Sequence, residues 1–130
     1  MTKFKSQGFN NTFKNARKGF NLAVRSEVNI RVHVTVAAIV LLAGFLLEFT
    51  GVEYCILLIA IALVICTEML NTAIEFALDS IYHNRYSRMV GMAKDISAGA
   101  VMFATVVSIS IGVILFGGKI IAQLDLLNYL

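Results

Sequence analysis

Residues 54–79 read YCILLIAIALVICTEMLNTAIEFALD, an apolar run that ends among carboxylates with no proline or glycine to interrupt it. At about 1.5 Å per residue, a helix over residues 54–78 is roughly 37 Å long, enough to cross a hydrocarbon core of roughly 30 Å. Yet the same helix carries Thr67, Glu68, Asn71, Thr72, Glu75 and Asp79. Ionisable groups within a span are costly, so they mark function until shown otherwise. At 100° per residue Glu68, Asn71, Glu75 and Asp79 share an arc of about 80°, one polar stripe.

Working outward, residues 32–49 and 96–116 form two further apolar runs, and 58% of the 130 residues are hydrophobic. A mean hydropathy of +0.81 exceeds that of an ordinary soluble domain. The chain therefore reads as an all-α membrane protein with three transmembrane helices over about 32–49, 54–78 and 96–116, and as one domain over 1–130. No repeat or low-complexity linker divides it. Ahead of the first span, Phe9, Phe13, Ala16, Phe20 and Val24 recur at steps of three and four, with Lys14, Arg17, Lys18 and Arg25 on other faces. That pattern predicts an N-terminal amphipathic surface helix over about 4–28, its aromatic stripe at the acyl boundary and its cations among headgroups. Packing of that stripe on protein is the competing reading.

Seven of the eleven basic residues (Lys3, Lys5, Lys14, Arg17, Lys18, Arg25 and Arg31) precede the first span, and Arg85, Arg88 and Lys94 follow the second. This distribution reads as topology rather than nucleic-acid binding: N-terminus and 80–95 connection in the cytoplasm, the acidic 48–53 turn and the C-terminus outside. The polar, basic start argues against a removable signal peptide. Cys55 and Cys66 lie eleven apart in one apolar run, which suits neither a disulfide framework nor a zinc site, and both read as packing residues.

Three carboxylates on one stripe repel one another unless a cation sits among them, and oxygen donors of this kind suit magnesium carried by a nucleotide. Helix-to-helix glue explains Asn71 and Thr72, but it does not cheaply explain two glutamates and an aspartate. Two further clusters reach the same membrane face: Glu27, Asn29, Arg31 and His33 before the first span, and Lys94 with Asp95 before the third. Lys94 suits neutralisation of phosphate charge, although a lysine and an aspartate at a helix start also have a plain structural use. Familiar nucleotide signatures are missing; Gly112, Gly117, Gly118 and Lys119 make a near miss at the wrong end of the helix. The sequon Asn10-Asn11-Thr12 falls on the side read as cytoplasmic and is set aside.

The motif Glu68-Met-Leu-Asn71-Thr72-Ala-Ile-Glu75 with Asp79, and Ala93-Lys94-Asp95-Ile-Ser-Ala-Gly-Ala-Val101, resemble those of the prokaryotic diacylglycerol kinase and undecaprenol kinase family. Lys18-Gly19-Phe20 and Glu27-x-Asn29-x-Arg31-x-His33 extend the resemblance, which covers about residues 9–118; the latter pattern and the Ala98-Gly99-Ala100-Val101 run look more like the undecaprenol kinase branch. The resemblance implies a plasma-membrane homotrimer with composite active sites, transferring phosphate from ATP to a lipid alcohol, undecaprenol ahead of diacylglycerol. It implies Glu68 as general base, Asn71 as a polar partner in the site, Glu27 and Glu75 as ligands of magnesium, Lys94 and Asp95 at the nucleotide phosphates, and Asp79 supporting the metal and nucleotide region. The family's Tyr-His pair before the third span is broken here, since Ser87 follows Tyr86 while Tyr82-His83 stands earlier. Both places remain candidates for the nucleotide contact. A small proton-coupled transporter is the alternative that intramembrane carboxylates also allow.

Overall fold

The computed structural model describes residues 8–83, 85 and 87–128. They form four helices, α1 (Phe9–Ser26), α2 (Val28–Leu46), α3 (Gly51–Tyr82) and α4 (Arg88–Asn128). The last three are long and apolar enough to cross a membrane. Helix α3 is the centre of the packing: α4 lies along it, α2 packs on its other flank, and α1 packs on α2 and reaches α3. Its buried stripe of Leu57, Ala60, Val64, Glu68 and Thr72 recurs at steps of three and four, so one face of the helix meets its neighbours.

The helix ends differ from the sequence reading. The first span was expected to run to Phe49, but α2 stops at Leu46 and Phe49 folds back over it. Glu48 adopts a left-handed conformation at φ 55°, Phe49 N donates to Gly44 O at 2.9 Å and Glu48 N to Phe45 O at 3.2 Å. This is a Schellman ending, with Phe49 in contact with Gly44. Thr50 then opens α3 through a reciprocal capping box with Glu53. Across this turn the Phe49 ring stacks at 4.9 Å on Phe116 and edge-on at 5.9 Å against Tyr54. Lys119 Nζ closes it from α4, 3.1 Å from Glu53 Oε2 and 3.1 Å from Glu48 O.

Helices α3 and α4 overrun the expected 54–78 and 96–116. With 32 and 41 residues they extend about 48 and about 62 Å, beyond a hydrocarbon core of roughly 30 Å. Hydropathy marks the apolar centre of such helices and not their ends, which polar residues continue without a break. Ser87 starts α4: its Oγ accepts from Val90 N at 3.2 Å and its carbonyl from Gly91 N at 3.0 Å. Lys94 and Asp95 therefore sit well inside the helix and are not its start. Helix α1 covers 9–26 of the expected 4–28, residues 4–7 lying outside those described, and ends because Glu27 turns extended at φ −111°. Cys55 and Cys66, expected to pack, are exposed.

Candidate active site

The polar residues of α3 and α4 meet near the end of the bundle that carries the α3–α4 connection. Asn71 and Glu75 are one turn apart on α3, and Asn71 Nδ2 donates to Glu75 Oε1 at 3.2 Å. Ser97 Oγ on α4 donates to Asn71 Oδ1 at 2.7 Å, with Lys94 O a second acceptor at 2.9 Å. One turn further along α3, Asp79 Oδ1 receives Lys94 Nζ at 2.6 Å. A continuous set of contacts thus runs from Glu75 through Asn71 and Ser97 to the Lys94 backbone, and from the Lys94 side chain to Asp79.

Glu68 lies on the same stripe, one turn deeper. It is only 3% exposed, and no hydrogen bond reaches it from the described residues. Among the described residues no fully enclosed side-chain oxygen lacks a hydrogen-bond partner, so the Glu68 carboxylate keeps a narrow opening through which a substrate group could reach it. Thr72 is buried beside it along the helix.

Among the described residues, no hydrogen bond or ion pair joins Glu27 or Asp95 to this set. Glu27 is the one residue between α1 and α2, half-buried, its backbone N donating to Ala23 O while its side chain caps neither helix. Arg31 Nη1 donates to Arg25 O at 3.2 Å across that junction. Asp95 is exposed and makes no ion pair with the described residues. Tyr86 lies outside the described residues; of the alternative pair, His83 is the left-handed cap of α3 at φ 47°. Lys119, in the discarded glycine motif, is engaged by Glu53.

Sequence reasoning missed Ser97. A single serine in an apolar helix looks like filler, and its partner is 26 residues away; the available cue was its place three residues after Lys94, on the side of α4 that returns to α3.

Among the described residues no three His, Cys, Asp or Glu side chains converge into a metal cage. Glu75 and Glu27 are partly exposed carboxylates on separate elements, each a hard oxygen donor of the type magnesium takes beside nucleotide phosphates. In donor type these residues fit a metal brought by its nucleotide.

The family model described as prokaryotic diacylglycerol kinase matches residues 14–116. An undecaprenol kinase of Bacillus subtilis is 36% identical over 112 residues, covering 86% of this chain and 90% of that protein. A diacylglycerol kinase of Haemophilus influenzae is 32% identical over 107 residues, 82% of this chain and 90% of that protein. A diacylglycerol kinase of Synechocystis is 31% identical over 101 residues, 78% of this chain and 58% of that longer protein.

Proposed function

The chain belongs to the prokaryotic diacylglycerol kinase family and is a membrane lipid kinase, and on that premise we propose that it transfers the γ-phosphate of ATP to the hydroxyl of a membrane lipid alcohol, undecaprenol first and diacylglycerol next. The observation that carries this reading is the alignment of buried Glu68 with the Asn71–Glu75 and Lys94–Asp79 contacts on one side of α3. Family membership sets the transporter alternative aside.

In this mechanism the lipid hydroxyl gives its proton to Glu68 as its oxygen bonds to the γ-phosphorus, while the bond from that phosphorus to the bridging oxygen of ADP breaks. Glu68 is the carboxylate set deepest along the stripe, where a lipid hydroxyl would meet it. Magnesium, when bound with the nucleotide, supplies neutralising charge to the phosphates. Glu75 and Glu27 would hold it. Asn71, fixed by Ser97, orients the Glu75 carboxylate. Lys94 exchanges Asp79 for phosphate oxygens, and Asp79 then steadies the nucleotide end together with Asp95 and Tyr86.

The basic residues of α1 and of the 80–95 connection support a cytoplasmic placement of this end, with the α2–α3 turn and the C-terminus outside. Helix α1 lies at the cytoplasmic interface, with exposed Phe9, Phe13 and Phe20 in the acyl boundary and Lys14, Arg17 and Lys18 among headgroups. The exposed apolar faces of α3 and α4 support association into a homotrimer whose sites are shared between neighbours. The test is transfer of labelled phosphate from ATP to undecaprenol and diacylglycerol in mixed micelles, with and without magnesium. Magnesium-dependent labelling of undecaprenol above diacylglycerol is expected; transfer to neither lipid contradicts the reading.

A further inference from the structure

An apolar trough of about 520 Å³ opens between α2, α3 and α4, from His33 and Thr105 at the active-site end to Phe116 at the other. Its α3 wall is made by Leu57, Ala60, Ile61, Val64 and Ile65, and Glu68 continues the stripe of Leu57, Ala60 and Val64: at 100° per residue these four fall within an arc of about 80°. The trough therefore begins one turn from Glu68. Its polar side chains are few. His33 and Thr105 stand at the Glu68 end, and Ser108 spends its hydroxyl on Ala60 O at 2.9 Å. Beyond that end the lining offers hydrocarbon alone.

We infer that this trough holds the tail of a single-chain, polyprenol-type alcohol, extended away from Glu68 with the hydroxyl at the carboxyl. The inference rests on the kinase reading above and adds the basis of acceptor choice. One trough takes one chain. An alcohol with one hydrocarbon tail lays that tail along the apolar lining, whereas a diacylglycerol brings a second chain that the single trough does not seat. Length matters as well. Ser97, which touches Asn71 at the site, precedes Gly112 by fifteen residues, about 22 Å along α4, so only a long chain reaches Gly112.

Gly112 gives the test. It lines the trough, and a Cβ built there meets nothing within 4 Å, so a larger side chain fills the channel without striking the backbone. Gly112→Leu also replaces a helical glycine, which favours folding. Val113→Phe adds bulk from the trough's exposed rim at similar depth. Gly118→Leu, on the same helix but outside the trough, is the control.

Phosphate transfer is measured with undecaprenol, geraniol and diacylglycerol, alongside crosslinking of the protein in the same micelles. Gly112→Leu and Val113→Phe are expected to raise the KM for undecaprenol at least tenfold, leaving the KM for ATP and turnover of geraniol, too short to reach Gly112, as in wild type. Gly118→Leu keeps wild-type values with all three. Unchanged undecaprenol kinetics in both trough variants, or an equal loss with geraniol, overturns the inference while the kinase reading stands. A changed crosslinking ladder without a change in chain-length preference also overturns it and makes the trough a seam between copies. Transfer by the wild type to none of the three overturns the acceptor reading itself.

Discussion

Ser97 Oγ stands 2.7 Å from Asn71 Oδ1, and this bond ties α4 to α3 at the level of the candidate site. It also sets the amide: with Oδ1 accepting, Nδ2 faces Glu75. Ser97→Ala leaves that oxygen without its protein partner and is expected to cost about 1 kcal/mol of stability. If Ser97 positions the Asn71–Glu75 pair, kcat/KM for Mg-ATP falls further than stability explains, by about tenfold. Kinetics at a temperature where the variant is fully folded separate the two effects.

The Lys94–Asp79 pair is short but partly exposed, at 33% and 41% for the two side chains. Such a pair is worth about 0–1 kcal/mol to folding. Lys94→Met is therefore expected to leave the melting temperature in detergent nearly unchanged while lowering kcat by about a hundredfold, the scale of losing one charge aimed at a transferring phosphate. Asp79→Asn should weaken Mg-ATP binding more than it slows turnover. A large loss of stability in Lys94→Met, with residual kcat intact, would make the pair a structural tie.

At the opposite end, Gly44 lies under the Phe49 ring, where a Cβ would sit 3.2 Å from Cδ2. Gly44→Val pushes the ring off Phe116 and should destabilise the protein by about 1–3 kcal/mol. Glu48→Gly relaxes the left-handed residue of the same turn and should stabilise by about 1 kcal/mol, since Lys119 binds the backbone carbonyl there and not the side chain. Opposite shifts in melting temperature, with unchanged kcat in Glu48→Gly, are the expected pair of results.

The spans were legible because length and hydropathy are summed over many residues, and one ambiguous position does not alter the sum. Glu68, Asn71, Glu75 and Asp79 were legible as a stripe because helical periodicity alone fixes their shared face. Helix ends were less so. Phe49 is as apolar as its span, and only the left-handed Glu48 turns it back. The start of α4 depends on one serine cap, Ser87, in a stretch whose charges resemble a loop. Ser97 was harder to read for a related reason: its place three residues after Lys94 is a cue to its face, but a contact between α3 and α4 depends on their relative rotation, which no local pattern states. Glu27 and Asp95 matched the family motif, yet among the described residues no hydrogen bond or ion pair joins either to the α3–α4 set.

The central claim is that Glu68 is the base that receives the lipid hydroxyl proton, and Glu68→Gln tests it most directly. Glutamine keeps the size of the side chain and removes the carboxylate. Titration of Mg-ATP binding beside turnover on undecaprenol should show affinity within about twofold of wild type and kcat lower by at least 10³-fold, within the range that loss of a general base produces. Turnover close to wild type with Glu68→Gln would contradict the account.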